Sequence, residues 1–413
     1  MHYVELYETQ GKFMYKKIIK AFFTAGIFLT AILLSYGYFL TNILSDTAIP
    51  DKLLHGNAFY IIQDNPFFDY ARIKDAVHAA RNPSVIAIGS SRVLPFRESF
   101  FTKSFANLGY GIGSISDMEK TYQILKERKK EGKEELDIIL FGIDFWWFSN
   151  GYDDAILGDP PRWYTPLKYL PVFSTIRECL LPYKKIWLKP GYLKSLVIPY
   201  FQDVFMVQDG SYPLNIAGIG PDGSGYYTDI VVGKRKSDIR FGETLQAIWE
   251  GHFHFSRVKK INLAYVDKFM ENVKKLRSLH KNIIFFFPPL ANPVYTELRS
   301  REAEYQHVFS LKQILEERGI VVHDYSSLSS FGSNDCEMVD GFHGGDVSYA
   351  RILLHLAAAS PQVKGVINEP YLREVTEEFS GNAMIPDKRV TLDPEVDFLE
   401  LQCAKGRRRS ASH

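Results

Sequence analysis

Four short apolar runs follow residue 80, and each has the length and composition of a buried strand. Continuous apolar runs of this length, rich in β-branched residues, are typical of strands that are covered on both faces. The runs are SVIAI at 84–88, LDIILF at 136–141, NIIFFF at 282–287 and IVVH at 320–323.

Segments of helical periodicity separate these runs. Apolar residues recur near helical spacing over about 258–280, 303–318 and 347–359, and the segment after Ser114 is also helical in pattern. Strands that alternate with helices predict an α/β fold, in which helices cover both faces of a parallel sheet. Ligands bind such sheets outside the carboxyl ends of the strands, so the residues directly after each run are the candidate site.

A different apolar pattern lies near the N-terminus. Residues 21–40, AFFTAGIFLTAILLSYGYFL, contain no charge, and a helix of about twenty residues spans roughly 30 Å, the thickness of a bilayer core. Four lysines precede the run and two aspartates follow it before residue 52, which orients the N-terminus towards the cytoplasm. The run is longer than that of a cleaved signal peptide, and the following residues fit a cleavage site poorly.

These patterns divide the chain. We expect a cytoplasmic tail at 1–20, a transmembrane signal anchor at 21–44, a connector at 45–80, an α/β domain at 81–360 and a C-terminal extension at 361–413. The domain would lie outside the cytoplasm, in the periplasm or at the cell surface. Within it, residues 150–255 are rich in Pro, Tyr, Trp and Gly. Loops of that length are uncommon in compact domains, which indicates an inserted subdomain or lid.

Composition narrows the function classes. The 413 residues carry 49 Lys+Arg and 48 Asp+Glu, a net charge of +1, with 46% hydrophobic residues. These fractions exclude a disordered or multi-span membrane chain and argue against a protein that binds polyanions through bulk charge. No basic stripe with interleaved aromatics indicates nucleic-acid binding. The three cysteines, Cys179, Cys336 and Cys403, are far apart, and they predict neither a disulfide framework nor a zinc site.

Side chains that could take part in catalysis follow the first and the last apolar run. Ser91, in Gly-Ser-Ser-Arg, follows the first run, where a hydroxyl projects over the sheet and backbone N–H groups can face an oxyanion. His343 and Asp340, in Asp-Gly-Phe-His, stand beyond the last run. A serine needs a base such as histidine to be nucleophilic, and a carboxylate on the other ring nitrogen fixes the tautomer. Alternatively, Gly-Ser-Ser is an ordinary loop and the histidine is structural.

Residues with possible roles in oxyanion or substrate binding lie nearby. Gly109 has an N–H that could approach an oxyanion, although Asn107 and Gly109 also suit an ordinary turn. Asp144, after the second run, could orient a ligand or hydrogen-bond the loop that carries Arg92. The following tryptophans are expected to pack.

No cofactor or metal site is predicted. His252 and His254 lie on one side of an extended segment, but no carboxylate or cysteine partner is evident. The glycine-rich run at 218–225 lacks the Lys-Ser/Thr of a phosphate loop and opens no evident helix.

In order and in strand context, these blocks resemble the SGNH/GDSL hydrolase superfamily. The resemblance implies a flavodoxin-like three-layer α/β/α fold, in which Ser91 matches the nucleophile, Gly109 the glycine of the second block, and Asp340 and His343 the last block. The third block departs from the family pattern, because Asp144 stands where the family has an oxyanion-binding asparagine. An ionised carboxylate there would repel an oxyanion.

The Ser-Ser block and the N-terminal anchor are most similar to one branch of that superfamily, the membrane-anchored proteins of cell-envelope polysaccharide acylation. That branch includes the D-alanyl-lipoteichoic acid and alginate O-acetylation proteins. The resemblance implies an O-acyltransferase or esterase that acts on acyl esters of an envelope or exported glycan, beside a membrane-bound O-acyltransferase. The alternative is a catalytically inactive glycan-binding or scaffold protein of a polysaccharide assembly complex on the same fold.

Overall fold

The computed structural model describes residues 24, 26–27, 30–31, 74, 77–78, 81–130, 136–149, 152, 217–387 and 393–403. Seven strands occur in these residues. They are β1 (Val85–Gly89), β2 (Phe105–Gly109), β3 (Ile138–Gly142), β4 (Ala217–Ile219), β5 (Gly225–Tyr227), β6 (Ile283–Phe287) and β7 (Val322–Asp324).

Nine α-helices accompany the strands in the same part of the chain. They are α1 (Asp117–Lys130), α2 (Thr228–Val231), α3 (Gly242–Glu250), α4 (Leu263–Leu279), α5 (Asn292–Ser300), α6 (Gln306–Glu317), α7 (Asp346–Ala359), α8 (Pro361–Lys364) and α9 (Glu369–Glu378).

Five of the strands form a parallel sheet in the order β2-β1-β3-β6-β7. All five residues of β1, β2 and β3 are buried, which explains why their sequences are nearly continuous apolar runs. β4 and β5 pair separately as an antiparallel hairpin. The α/β prediction with a parallel sheet is thus confirmed.

Helices pack on both faces of this sheet. Phe285 and Phe286 are consecutive in β6, so their side chains point to opposite faces. The Phe285 ring lies 6.4 Å from that of Phe269 in α4. The Phe286 ring lies 5.8 Å from Phe96, which in turn meets Tyr349 of α7 at 4.8 Å. α4 and α7 therefore lie on opposite sides of the sheet, and the carboxyl edge between them is left for a site.

One segment differs from a turn suggested by its sequence, and the expected insertion stays a prediction that is described only in part. The segment Asn107–Gly109, expected as a turn, is the end of β2 and pairs with β1. The expected insertion at 150–255 is described only at residue 152 and from 217 onwards, where it contains β4, β5, α2 and α3. Its remainder, residues 150–151 and 153–216, lies outside the described residues.

The cysteine prediction was wrong. Cys336 and Cys403 form a disulfide across a sequence separation of 67 residues. The bond ties the C-terminal segment to the loop that leads to Asp340. Sequence spacing did not predict it, because the two cysteines meet only when residues 393–403 return to the domain. Phe398 and Leu399 of that segment are buried in the common core.

The expected membrane anchor at 21–44 falls almost entirely outside the described residues, and so does most of the connector at 45–80. Residues 24, 26–27 and 30–31 of the anchor are helical and exposed. In the described part of the chain, no helix has the length and apolar character needed to span a bilayer.

Candidate functional site

Ser91, His343 and Asp340 meet at the carboxyl edge of the sheet. Ser91 opens a 3-10 turn directly after β1, and the other two side chains lie on the loop before α7. Ser91 Oγ lies 2.8 Å from His343 Nε2, and His343 Nδ1 lies 2.7 Å from Asp340 Oδ2. Residues 252 positions apart in the chain are thus within hydrogen-bond distance.

A glycine makes the turn before Ser91 possible. Gly89 has a φ of +152°, and a Cβ atom there would lie 3.0 Å from both the Gly142 carbonyl oxygen and the Val93 side chain. The chain can therefore leave β1 sharply and pass close to β3, which sets Ser91 above the strand ends.

Backbone hydrogen bonds hold the Asp340–His343 loop. Asp340 Oδ1 accepts from the N–H groups of Phe342 and His343 at 2.9 and 2.8 Å, while the Gly341 N–H donates to Asp238 Oδ2 at 3.2 Å. Burial raises the pKa of Asp340, but the attraction and hydrogen bond of His343, together with the two N–H donors, outweigh it and keep that pKa below its usual value. The carboxylate is therefore ionised at neutral pH.

These three side chains have the geometry that nucleophilic catalysis requires. Nε2 faces the serine hydroxyl and can accept its proton, while Asp340 holds the Nδ1 proton and stabilises an imidazolium. His343 and Asp340 have side-chain exposures of 13% and 26%, so the site is open to a substrate.

Arg92 and Asp144 form a buried ion pair beneath this group. The Arg92 Nη1–Asp144 Oδ1 distance is 3.0 Å, and the two side chains are 2% and 1% exposed. Arg92 Nη2 donates to the carbonyls of Pro288 and Pro289, both at 2.7 Å, and Nε donates to that of Phe342 at 2.9 Å. The pair thus joins the loops after β1, β3 and β6 to the loop that carries His343.

The role of Asp144 differs from what the resemblance implied. Burial raises the pKa of Asp144, while the charge of Arg92 and hydrogen bonds from Ser90 and Arg92 oppose that rise. Asp144 Oδ1 binds Arg92 in the first loop, which was one of the two alternatives for this residue, while Oδ2 is buried without a hydrogen-bond partner among the described residues. Both side chains are buried, and their contacts hold together the loops that carry Ser91 and His343.

The Asn107 side chain and the Gly109 N–H are also hydrogen-bonded within the fold. The Asn107 amide nitrogen donates to the carbonyls of Val93, Leu94 and Phe96 at 2.9 to 3.1 Å. Its Oδ1 accepts the Gly109 N–H at 2.8 Å, so the expectation that Gly109 supplies a free oxyanion donor is not met. A Cβ atom at Gly109 would lie 2.8 Å from the Leu94 side chain, which accounts for glycine here.

Two other donors near the serine are uncommitted. The Ser91 N–H has no hydrogen-bond acceptor among the described residues. Tyr227, at the end of β5, has its ring 5.9 Å from that of His343, and its hydroxyl is buried without a partner. Burial, with the negative charge of Asp340 among the further causes, raises the pKa of Tyr227. The hydroxyl thus keeps its proton at neutral pH.

Sequence reasoning missed Tyr227, because the residue lies in the region assigned to an insertion and no motif surrounds it. The signal that could have found it is the alternation at 226–227, which sends one tyrosine to each side of a short strand. The hairpin is docked beside the serine turn, since the Gly225 N–H donates to the Leu94 carbonyl at 3.0 Å.

An aromatic group flanks the site on another side. The His254 ring lies 4.3 Å from Trp146 and 5.6 Å from Phe342, the neighbour of His343. Burial, with the charges of His343 and Arg92, lowers the pKa of His254 to about 4, so its imidazole is neutral at pH 7. Trp146 and Trp147 are buried, as expected for packing residues. Within the described residues, no three His, Cys, Asp or Glu side chains could hold a metal ion.

The described geometry offers a nucleophile, a base, a carboxylate that orients the base, and two uncommitted hydrogen-bond donors. Such an arrangement can transfer an acyl group through a covalent serine ester. No family model, curated protein or solved structure matches this chain.

Proposed function

We propose that this protein is an SGNH-type O-acyltransferase or esterase, with a flavodoxin-like α/β/α domain, that acts on acyl esters of an envelope or exported polysaccharide. The observation that carries the proposal is the continuous chain of contacts from Ser91 to His343 to Asp340, at 2.8 and 2.7 Å. A hydroxyl, an imidazole and an ionised carboxylate in this order support acyl transfer, and its placement at the carboxyl edge of a parallel sheet agrees with where ligands bind such sheets.

The reaction has two halves. Ser91 Oγ attacks the carbonyl carbon of the donor ester as His343 Nε2 takes its proton, and the tetrahedral intermediate expels the donor alcohol, which receives that proton. The acyl group then forms an ester with Ser91. In the second half, His343 takes a proton from water or from a sugar hydroxyl, whose oxygen attacks the acyl carbon and releases Ser91 with its proton restored.

The developing oxyanion needs donors that are not already bonded. The Ser91 N–H is one, and the Tyr227 hydroxyl is the second in this proposal. The Tyr227 hydroxyl would take the place of the side-chain amide that an asparagine would supply at the position of Asp144. Loss of one such donor typically costs 10²–10³-fold in turnover when the donor is a well-placed group in a dry site.

The same proposal places the domain outside the cytoplasm, anchored by residues 21–44, beside a glycan substrate and a membrane-bound O-acyltransferase. The Cys336–Cys403 disulfide supports this location, because such bonds persist mainly in oxidising compartments.

Hydrolysis of an aryl acetate and labelling by a fluorophosphonate probe test the activity on the purified full-length protein. Ser91→Ala should abolish both, and His343→Gln should reduce both by at least about 10³-fold, because the hydroxyl loses its base. Ser300→Ala, an exposed serine on α5, is the matched control and should retain both.

The opposite result is informative as well. Absence of labelling and turnover in the wild-type protein, or full labelling of Ser91→Ala, would reject the catalytic proposal. A scaffold or glycan-binding protein on the same fold would then be the remaining interpretation.

A further inference from the structure

The Gly341 N–H, in the loop from Asp340 to His343, is bonded to a carboxylate from outside that loop. Asp340 itself accepts from the N–H groups of Phe342 and His343, whereas the Gly341 N–H donates to Asp238 Oδ2 at 3.2 Å. Asp238 precedes Gly341 by 103 residues and is 8% exposed. A buried side chain from the segment between α2 and α3 therefore holds the middle of this loop.

The same carboxylate binds the start of α3. Asp238 Oδ1 accepts the Glu243 N–H at 2.8 Å, and Oδ2 accepts the Thr244 hydroxyl at 2.6 Å. Together with the Gly341 N–H, three donors therefore surround a side chain that has only acceptors. Both oxygens are engaged, so one carboxylate links α3 to the loop.

The backbone between Asp238 and α3 is strained. Arg240 and Phe241 have φ values of +50° and +61°. Residues other than glycine seldom adopt this left-handed region, and they persist there only where the surrounding structure over-determines the conformation. Phe241 is 0% exposed and belongs to the common core. The strained turn lets Asp238 reach the Glu243 N–H, five residues further on, and Gly341 at the same time.

The C-terminal segment holds this turn on both sides of Asp238. The Ser237 hydroxyl donates to the Phe398 carbonyl, and the Arg240 N–H donates to the Leu399 carbonyl at 2.9 Å. Phe398 and Leu399 are themselves buried. Asp238 is therefore fixed by contacts that do not involve the 340–343 loop, and the loop docks on it.

Gly341 lies in direct contact with α3. A Cβ atom at Gly341 would lie 2.5 Å from both Cβ and Oγ1 of Thr244, so a larger residue would displace the loop or the helix. Two residues further on, His343 Nε2 lies 2.8 Å from Ser91 Oγ. A shift of Gly341 would move the imidazole relative to the serine, and a misplacement of about 1 Å can lower a rate about 10²-fold.

Capping of α3 alone does not account for Asp238. A capping side chain accepts from N–H groups in the first turn of its own helix, as Oδ1 does from Glu243. Oδ2 also accepts from Gly341, which lies outside α3 and two residues before His343.

We propose that Asp238 is a positioning residue for His343, because it fixes Gly341 and thereby the turn that directs the imidazole towards Ser91. The inference rests on the proposed function for its effect on catalysis, since His343 is a base only in that reaction. The placement of the imidazole is a separate, structural consequence, and it can be measured without turnover.

Aryl acetate turnover by the full-length protein measures the effect on catalysis. Asp238→Ala removes all three contacts and should lower kcat about 10–100-fold with KM within about threefold, because the base is misplaced while the substrate still binds. Asp238→Asn is the conservative variant. Its amide has one acceptor oxygen in place of two, so it can keep the Glu243 contact and donate to the Thr244 oxygen but no longer accepts from Gly341. It should lower kcat to a similar extent and destabilise the protein less.

Asn262→Ala is the matched control for an ordinary helix cap. Asn262 Oδ1 accepts the Ala264 N–H at 3.0 Å at the start of α4, on the face of the sheet opposite α7. Its loss should lower stability in urea, as for a helix cap, and should leave kcat within about twofold.

Proton NMR of the same proteins reports on His343 whether or not they turn over an ester. The Nδ1 proton that bonds to Asp340 Oδ2 gives a resonance far downfield of the amide protons, which is assigned by its loss in His343→Gln. We expect this resonance to shift or broaden in both Asp238 variants and to stay unchanged in Asn262→Ala.

In an active protein, a kcat of folded Asp238→Asn within about twofold of the wild type would overturn the proposal, and so would an equal loss of kcat in Asn262→Ala. If the wild type hydrolyses no ester, the proposed function fails and the resonance decides alone. An unchanged resonance in Asp238→Asn would then show that Asp238 does not position His343.

Discussion

Arg92 and Arg97 are both buried, and each pairs with an aspartate, yet their surroundings differ. Arg92 donates to Asp144 and to three backbone carbonyls, and thereby joins four loops. Arg97 donates only to Asp346, and two of its nitrogens have no partner. Two similar ion pairs in one domain thus have different hydrogen-bond satisfaction.

This difference separates a guanidinium in which every nitrogen is hydrogen-bonded from one in which two nitrogens are not. A fully bonded buried charge has no capacity left for a ligand, so Arg92 holds loops in place. In Arg97, by contrast, Nε and Nη1 have no hydrogen-bond partner among the described residues, and both atoms are buried. His307 adds a third case, because both of its ring nitrogens lack partners and the side chain is 0% exposed. A buried polar atom without a partner therefore does not by itself indicate a binding site.

Removal of each whole pair is the strongest test of the comparison. Arg92→Met/Asp144→Leu leaves the carbonyls of Phe342, Pro288 and Pro289 buried without donors, and we expect it to lower the free energy of unfolding by about 3–5 kcal/mol. Arg97→Met/Asp346→Leu leaves mainly the Ile385 N–H unbonded and should cost less than about 2 kcal/mol. Urea denaturation, monitored by tryptophan fluorescence, measures the free energy of unfolding of both double variants. Equal losses of stability would contradict the difference between the two ion pairs.

The partnerless His307 predicts a pH dependence of stability. Burial lowers its pKa from 6.5 to about 3. Between these values the unfolded chain binds a proton that the folded chain does not, so stability is full above pH 6.5 and falls as pH decreases, by up to about 1.4 kcal/mol per pH unit. Relative to His307→Phe, the wild type should lose about 2 kcal/mol more between pH 6.5 and 4.5 in thermal or urea unfolding. Parallel curves for the two proteins would show that His307 is not neutral in the fold.

Arginine-to-lysine variants compare the two pairs by activity. Arg92→Lys can keep an ion pair with Asp144 but cannot reach all the carbonyls, so the His343 loop should shift and aryl acetate turnover should fall about 10–100-fold with little change in KM. Arg97→Lys should leave turnover within about twofold, since Arg97 contacts none of the three proposed catalytic side chains. If both variants lose turnover equally, Arg92 has no special positioning role. Circular dichroism checks that both proteins are folded.

The smallest expected change in stability comes from Tyr227→Phe, which removes only the partnerless hydroxyl. Stability should stay the same or rise by up to about 1 kcal/mol, because no hydrogen bond is lost. Turnover should fall at least about tenfold if the hydroxyl stabilises the oxyanion. Tyr325→Phe, a buried tyrosine whose hydroxyl meets His355 at 3.2 Å, is the control, and it should lose stability rather than turnover. Full activity of Tyr227→Phe would assign the oxyanion to other donors.

Hydrophobic patterning predicted most of the sheet. The four apolar runs contain all of β6 and all but the last residue of β1, β3 and β7, with ends that differ by one or two residues. β2 was missed, because its sequence FANLG carries an asparagine and a glycine, which are rare inside strands. Asn107 is tolerated there only because its amide meets three carbonyls of the preceding turn. That compensation is tertiary, and a local pattern does not contain it.

The sequence predicted those site residues whose reactive side chains lie beyond a predicted strand. Ser91 follows β1 directly, Asp340 and His343 lie on the loop before α7, and the structure brings the three together. Whether Arg92, Asn107 and Gly109 can bind a ligand depends on which of their hydrogen-bonding groups already have a partner in the fold. Residue type alone does not reveal that, and the same limit hid the free hydroxyl of Tyr227.

The Cys336–Cys403 bond makes the polypeptide between these residues a covalent ring. Asp340, His343 and helices α7 to α9 all lie within that ring. In the loop-entropy description, closing a loop of this length removes about 4 kcal/mol of unfolded-chain freedom. A protease that cuts once inside the ring would leave both pieces joined, so the nicked chain would separate on a gel only after reduction. The proposed base and the carboxylate that orients it would thus remain attached to the fold after a break in their own backbone.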